Sequence, residues 1–267
     1  MPTKTEQSDL MQALYGRPGE SPVAVLAARS PSDCFDTAIE AVRLASKYMM
    51  PVIVLSDGYI ANAAQPWRVP KIERLTPFPV RFRTEPAGFE PYARDPETLA
   101  RPWAVPGTSG LEHRIGGLEK DALTGAISYD PANHQKMTET RAAKLDRIAD
   151  DIPPQRVELG RDGGELAVIG WGSTYGPISR AAGSLTERGY DVAHIHLRHL
   201  CPMPRNLGDL LRRYRHILVP EMNNGQLVHL LRGRYLVPAE GLYKVSGQPF
   251  MIEEIEKAVV SRLESKR

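Results

Sequence analysis

The pattern of apolar and polar positions predicts a strand, a helix and a second strand near the start of the chain. Residues 23–28 form a short apolar run, and Ser30-Pro31 follows it as a helix N-cap with proline at the first helical position. Helical spacing predicts one buried apolar stripe, formed by Phe35, Ala38, Ile39, Val42 and Ala45. Pro51 ends the helix, and residues 52–55 form a continuous apolar strand. An uninterrupted apolar strand in such a βαβ unit is expected to be buried on both faces.

Two strands and one helix cannot cover a strand that is apolar on both faces, so this unit needs further layers. The first 20 residues are rich in Lys, Glu, Gln, Asp and Gly and cannot supply them. We therefore expect that another chain completes the sheet, or that the N-terminal half of this domain is missing from the sequence.

A proline-rich region follows, since nine of the 23 prolines fall between Pro66 and Pro106. It lacks periodicity of either kind and predicts a long irregular connection. Asp130-Pro131 then begins a helix that Pro153-Pro154 ends. Its buried side is expected to carry Met137, Ala142, Leu145, Ile148 and Ala149.

From Glu165 onward, four strands alternate with four helices in about 100 residues. The predicted strands cover residues 166–169, 192–197, 217–219 and 242–245, and the predicted helices cover 176–188, 207–214, 226–236 and 252–263. This alternation predicts a self-sufficient doubly wound α/β domain.

Composition excludes several classes of protein. With 34 Lys+Arg against 32 Asp+Glu, the net charge of +2 gives no field that would draw nucleic acid or an anionic membrane. No segment approaches the roughly 18 apolar residues of a membrane span, and the polar start is unlike a signal peptide, so a cytoplasmic location is expected. Cys34 and Cys201 alone can build neither a disulfide framework nor an iron–sulfur cluster.

Three motifs invite a chemical interpretation, and each has a structural one. The glycines of residues 170–176 join a strand to a helix, but Tyr175 occupies the place of the third glycine of a dinucleotide fingerprint, which favours a structural turn over NAD(P) binding. His194, His196 and His199 with Cys201 suggest a metal site, but no paired-ligand motif accompanies them, so packed or surface histidines are favoured. We expect no metal ligand in the chain.

The third motif, at residues 220–226, joins another strand end to a helix, where ligands bind in open α/β sheets. We favour Asn223 or Asn224 as a helix cap and leave Glu221 open as a loop or interface contact. Cys34 lies on the predicted inner side of the first helix and is expected to be core rather than nucleophile. No complete catalytic set is evident.

Several stretches together resemble the alpha subunit of 2-oxoacid:ferredoxin oxidoreductases, particularly the 2-oxoglutarate type. They occur in the family's order across essentially the whole chain, at residues 2–10, 51–57, 110–113, 130–134, 172–174 and 221–226. The resemblance implies half of a thiamine-diphosphate pyrimidine-binding domain at residues 1–60, a proline-rich connection plus helix at 61–155, and a transketolase C-terminal-like domain at 156–267.

The implied activity is the oxidative decarboxylation of a 2-oxoacid to acyl-CoA, with electrons passing to ferredoxin. The resemblance also implies that thiamine diphosphate, Mg²⁺ and a [4Fe-4S] cluster are carried mainly by a beta subunit, and that this chain alone binds none of them. Thr3 matches the end of the family's substrate-recognition motif, and Lys4 beside it is a second expected substrate contact.

The family's catalytic motifs lie upstream of every residue present here, so we expect no catalytic residue in the chain and no activity for the chain alone. Met1 is interpreted as an internal methionine of a longer alpha subunit. Two alternatives stay open: the beta-type chain of another thiamine-dependent 2-oxoacid dehydrogenase, and a non-catalytic assembly module.

Overall fold

The computed structural model describes residues 4–264, and its regular elements form three sheets with helices packed on them. In chain order the elements are α1 (Leu10–Tyr15), β1 (Ala24–Ala27), α2 (Asp33–Tyr48), β2 (Val52–Leu55), α3 (Gly58–Asn62), β3 (Phe82–Arg83), β4 (Trp103–Ala104), α4 (Pro131–Asp151), β5 (Val157–Leu159), β6 (Gly164–Trp171), α5 (Tyr175–Glu187), β7 (Val192–Leu197), β8 (His199–Cys201), α6 (Leu207–Leu211), β9 (Tyr214–Glu221), α7 (Gln226–Tyr235), β10 (Ala239–Tyr243) and α8 (Ile252–Glu264). In this part of the chain, no helix has the length and apolar character needed to cross a membrane.

The main sheet has the strand order β10-β9-β6-β7-β5, in which only β5 runs antiparallel to its neighbour. Helices α5 and α8 contribute to the core on one face, and α6 and α7 contribute to the core on the other. Alternate residues of each strand enter the two cores, so that Val168 faces α5 and Ile169 faces the opposite side. The α/β class is confirmed, and the finer division into domains stays a prediction.

Several elements of this region differ from those expected. Helix α6 ends at Leu211, because Tyr214 already pairs with Gly164 at the start of β9. Strand β10 lies at 239–243 rather than 242–245, because Ala239 pairs with Ile217 of β9. Strand β5 was not predicted; it is a three-residue edge strand with a register shift.

A second sheet places β1 between β2, which is parallel to it, and β8, which is antiparallel. Strand β8 is short, follows β7 after one residue, and was not predicted. The side chains of β1 are fully buried, and Val25 joins the same apolar cluster as Ile195 of the main sheet. The two sheets therefore share one core.

The predicted burial of β2 on both faces is wrong for this chain. Strand β2 is an edge strand that pairs only with β1, and the side chain of Val54 is 41% exposed. The stripe predicted on α2 is also wrong, because Thr37 and Leu44 face the core while Val42 is 53% exposed. The β2 edge and this outer α2 face are thus apolar surfaces that the described part of the chain leaves uncovered.

The start of α2 also differs from the expectation. The helix begins at Asp33, two residues later than predicted, although the Ser30 hydroxyl still accepts a hydrogen bond from the Asp33 N–H at 3.3 Å. Cys34 is half-buried, not in the core, and its thiol donates to the Ser30 carbonyl at 3.5 Å.

Helix α4 begins as predicted, with the Asp130 carboxylate accepting from the Ala132 N–H at 3.0 Å. Ala142 is exposed rather than buried. Lys144 takes a buried place on the helix instead, and its ammonium donates to the Met49 carbonyl at 3.1 Å. The connection before α4 holds only a short 3₁₀ turn and the β3–β4 pair, as its proline content suggests.

Candidate functional site

A groove lies where the carboxyl ends of β2 and β6 meet the segment before α1. Residues 6–9, 55–57 and 171–172 line its inner part, and Thr5, Tyr59 and Asn62 line an adjoining space of about 390 Å³. Grooves at the carboxyl ends of parallel strands are the usual ligand-binding places of open α/β sheets. This groove is the candidate functional site.

Gln7 fixes the segment that forms one wall of the groove. Its amide Nε2 donates to the Trp171 carbonyl at 2.7 Å, and its Oε1 accepts from the Met222 N–H at 2.9 Å. Its backbone N–H donates to the Met222 carbonyl at 3.0 Å, and its carbonyl accepts from Asn223 Nδ2 at 2.9 Å. Gln7 is 3% exposed, so these bonds join the start of the chain to the ends of β6 and β9.

Glu221 is the buried anchor beneath Gln7. Its Oε1 accepts hydrogen bonds from Trp171 Nε1 at 3.2 Å, Asn223 Nδ2 at 3.1 Å and the Leu227 N–H at 2.8 Å. Its Oε2 accepts from the Val228 N–H at 3.1 Å, so the carboxylate meets the free N–H groups at the start of α7. Burial raises the pKa of Glu221, against the opposing effect of these four donors. Glu221 is therefore an internal contact rather than a loop or interface contact.

The N-cap residue of α7 is Gly225, not Asn223 or Asn224 as expected, although Asn223, two residues before Gly225, still bonds the start of the helix. The Asn223 Oδ1 accepts from the Gly225 N–H at 2.7 Å and from the Gln226 N–H at 2.9 Å. Gln226 also holds the groove segment in place. Its Oε1 accepts from the Met11 N–H at 2.9 Å, and its Nε2 donates to the Ser8 carbonyl at 2.8 Å.

Asp57 joins the two sheets across the groove. Its Oδ1 accepts from the N–H groups of Tyr59 and Ile60 at 3.0 Å each, which caps α3. Its Oδ2 accepts a hydrogen bond from the Ser173 hydroxyl. Ser173 belongs to the 3₁₀ turn Gly172–Thr174, which is the tight strand-to-helix turn predicted from the glycines. Gly172 has φ of +58° and lies under the Gln7 amide, so glycine suits this position.

Of the two predicted substrate contacts, Thr3 lies outside the described residues. Lys4 is exposed, and its side chain lies beside Gly247. The N–H of the next residue, Thr5, donates to the Gly247 carbonyl at 3.4 Å. The two contacts stay predictions.

His194, His196 and His199 do not line the groove. His194 and His196 are buried, and neither ring nitrogen of either residue has a hydrogen-bond partner among the described residues. Both rings lie within 5.4 Å of the Tyr175 ring, and burial, aided by Arg29, lowers the pKa of His194 to about 3. His199 instead lies 3.3 Å from Glu40. Residues 4–264 bring together no three His, Cys, Asp or Glu side chains suited to a metal ion.

The sequence interpretation missed the central residue of the site. Gln7 sits in a polar segment where nothing distinguishes it from its neighbours, and its role depends on partners more than 160 residues away. Trp171 and Asp57 were within recognised segments, and their positions at strand ends were the signal available.

Comparison with known proteins relates the chain to one enzyme family. Residues 1–127 match the family model "Pyruvate flavodoxin/ferredoxin oxidoreductase, thiamine diP-bdg". The chain is 54% identical over 263 residues to the 2-oxoglutarate oxidoreductase subunit KorA of Mycobacterium tuberculosis, covering 98% of this chain and 40% of that protein. It is 35% identical to the alpha subunit of an Aeropyrum pernix 2-oxoacid:ferredoxin oxidoreductase, covering 80% of this chain and 34% of that one.

The structure agrees with the sequence comparison. It superimposes with a TM-score of 0.90 and 32% identity on a 2-oxoglutarate:ferredoxin oxidoreductase of Magnetococcus marinus with 2-oxoglutarate, coenzyme A and succinyl-CoA bound, covering 99% of this chain and 46% of that one. The chain thus spans less than half the length of each of these three relatives. The resemblance seen in the motifs is confirmed, and the chain belongs to the family of 2-oxoacid:ferredoxin oxidoreductase alpha subunits.

Proposed function

We propose that the chain is the C-terminal portion of a 2-oxoglutarate:ferredoxin oxidoreductase alpha subunit and acts with a beta subunit. The reaction would convert a 2-oxoacid and coenzyme A to acyl-CoA and CO₂, with two electrons passing to ferredoxin. The 54% identity to a 2-oxoglutarate oxidoreductase subunit over 98% of the chain carries this proposal. We also propose a cytoplasmic location and the division at residues 60 and 155.

The residues of this chain do not fit the cofactors by themselves. A [4Fe-4S] cluster needs thiolate ligands, and the chain has two cysteines. Cys34 lies in helix α2 and Cys201 lies in strand β8. No described side-chain group suits Mg²⁺. The side chains that line the groove include no cation to meet a diphosphate. This supports the proposal that thiamine diphosphate, Mg²⁺ and the cluster are held mainly by the beta subunit.

The uncovered apolar surfaces support a covering polypeptide. The β2 edge presents unpaired backbone groups beside Val54, and the outer face of α2 presents Val42. Exposed edge strands pair readily with another chain, and apolar patches mark interaction sites. A beta subunit, or an upstream part of an alpha subunit, would bury both.

Within the complex, Thr3 and Lys4 are the proposed substrate contacts. Lys4 precedes Thr5, which belongs to the groove lining, and its ammonium would attract the carboxylates of a 2-oxoacid. The polar side chains of the groove wall are already hydrogen-bonded within the chain, as Gln7, Asp57 and Glu221 show. We therefore propose that the chain orients substrate but has no activity alone.

The test is reconstitution with a beta subunit of the same family. The chain would be co-expressed with a tagged beta subunit, and 2-oxoglutarate-dependent reduction of a viologen dye would be measured with thiamine diphosphate, Mg²⁺ and coenzyme A. Because the family's catalytic motifs lie upstream of the residues present here, the complex is expected to reduce the dye once the upstream part of an alpha subunit of the family is supplied as well, and the chain alone is not. In the complex, Lys4→Ala should raise the KM for 2-oxoglutarate about tenfold, the loss of one charged contact. Lys257→Ala, on the exposed side of α8, is the control and should leave KM unchanged.

A non-catalytic assembly module is a second candidate, because the uncovered β2 edge and α2 face alone would suffice for assembly. The same experiment separates the two. A stable complex without turnover would favour the assembly module, and failure to bind the beta subunit would contradict both proposals.

A further inference from the structure

A second cavity, of about 710 Å³, lies away from the groove. Helix α2 bounds it on one side, and the connection between residues 78 and 103 bounds it on the other. Its apolar lining includes Phe78, Phe89 and Trp103, and the indole N–H of Trp103 donates to the Ser46 carbonyl of α2 at 3.0 Å. The cavity thus has a fixed aromatic wall.

Cationic side chains dominate the polar lining of this cavity. Arg43 pairs with Glu40 and Asp151, each at 2.7 Å, and Lys47 pairs with Asp151 at 2.9 Å. The other four cations form no ion pair with any acidic side chain in residues 4–264, and they are Arg81, Arg83, Arg94 and Arg101. Three acids also line the cavity, of which Asp95 and Glu97 are exposed and Glu90 is half-buried.

Arg94 and Arg101 are held close together and partly out of water. Their guanidinium groups lie 5.7 and 4.7 Å from the centre of the Tyr92 ring. The Nε of Arg94 is buried and has no hydrogen-bond partner among the described residues. Behind them, burial and the charges of Arg94, Arg101 and Arg141 lower the pKa of Lys144 to about 8.

Such an arrangement is unfavourable in the free chain. Partly buried cations without acidic partners cost free energy, and like charges placed together add to it. A bound anion would relieve both effects. Guanidinium groups present a planar fork that matches phosphate oxygens, and aromatic walls stack on planar rings.

We propose that this cavity binds a phosphate-bearing ligand of the nucleoside phosphate class, with the phosphate on Arg94 and Arg101 and the planar base against the aromatic wall. This site is separate from the groove. It can be tested by measuring binding, which does not require enzymatic turnover.

The test is binding to the full chain, followed by the fluorescence of Trp103 and by calorimetry. Inorganic pyrophosphate, ADP and coenzyme A are the probes. ADP is expected to bind and to quench fluorescence, and Trp103→Phe should remove the signal while calorimetry still detects binding. Binding should weaken as salt rises, because the attraction between exposed charges is screened.

Arg94→Gln with Arg101→Gln should raise the Kd for ADP at least about tenfold, from the loss of two charge-assisted contacts. The control is Arg180→Gln on the exposed face of α5, which should leave the Kd unchanged. The double variant should melt at or above the wild-type temperature without ligand, because it relieves repulsion. A fall in melting temperature with unchanged Kd would show a purely structural role and overturn the proposal.

The three probes separate the sources of the phosphate. Coenzyme A competing with ADP would identify the substrate's nucleotide end as the occupant, whereas binding of ADP alone would indicate a separate nucleotide ligand. Absence of binding by all three probes at millimolar concentration and low salt would overturn the proposal.

Discussion

Gln7→Ala is expected to loosen the groove wall and to destabilise the fold. The side-chain amide donates to the Trp171 carbonyl and accepts from the Met222 N–H, and it is 3% exposed. Its removal leaves the buried Met222 N–H without an acceptor, whereas the Trp171 carbonyl still accepts from the Thr174 hydroxyl at 2.8 Å. An unsatisfied buried donor costs about 1–3 kcal/mol, so the free energy of unfolding should fall by about that amount.

Gln7→Glu sharpens the test because it keeps the shape of the side chain. One carboxylate oxygen can still accept from the Met222 N–H, but the other would face the Trp171 carbonyl at the 2.7 Å now held by an N–H donor. At neutral pH this variant should be less stable than Gln7→Ala, since it buries a charge against an acceptor. Protonation restores a donor, so the Glu variant should recover stability as the pH falls through the raised pKa of the new carboxyl.

The assays are urea unfolding followed by circular dichroism, and hydrogen exchange of the segment at residues 5–15. Gln135→Ala is the matched control, because this exposed glutamine on α4 bonds only Glu139, at 2.7 Å. It should change stability by less than about 0.5 kcal/mol. If Gln7→Ala behaved like the control and exchange at residues 5–15 were unchanged, the assignment of Gln7 as the anchor would be wrong.

Three further perturbations test the buried groups around the site. Burial lowers the pKa of His194 to about 3 from 6.5, and that of His196 also falls, so the unfolded chain binds more protons below pH 6.5. Stability should therefore fall as the pH drops from 6.5, by up to about 1.4 kcal/mol per pH unit for each histidine, and His194→Gln should reduce this slope in urea titrations. The pKa of Glu221 is raised instead, so the folded chain binds more protons above pH 4.5 and stability should fall as the pH rises through this window; Glu221→Gln should flatten that part of the profile. Gly172→Ala should lower stability by about 1–2 kcal/mol in thermal unfolding, because φ is +58° and the new methyl group would lie 3.0 Å from Gln7 Nε2, whereas Gly176→Ala in open space should not.

The alternating strands and helices from Glu165 onward were predicted well, because the hydrophobic period of each element agrees with the burial of its residues. Strand β7 was predicted with its observed ends, and the starts of α7 and α8 were predicted correctly, since their apolar residues alternate with clear capping and turn residues. Short edge elements escaped prediction. Strands β5 and β8 have three residues each, and such lengths carry no detectable period.

Helix α2 shows why pattern alone failed at the second sheet. It has two apolar stripes, and the sequence could not say which faces the core when one of them is uncovered. The predicted stripe, with Val42, lies outward, and the stripe with Leu44 packs on β1 and β2. A helix that is covered on both faces would carry two apolar stripes, and α2 has this pattern.

The contacts at the groove bear on the proposal that the cofactors are held mainly by a beta subunit. At the groove, the polar groups that could do chemistry have partners within the chain: Glu221 lies on the start of α7, Asp57 caps α3, and Gln7 bridges two strand ends. Such groups hold a wall in place but have little capacity left to bind or transfer a proton. The unpartnered features are apolar, on β2 and the outer face of α2, and they lie on the sheet that bears one side of the groove. A polypeptide that covers them would therefore face the groove as well, which is consistent with the proposal that a partner supplies the cofactor and the reactive groups.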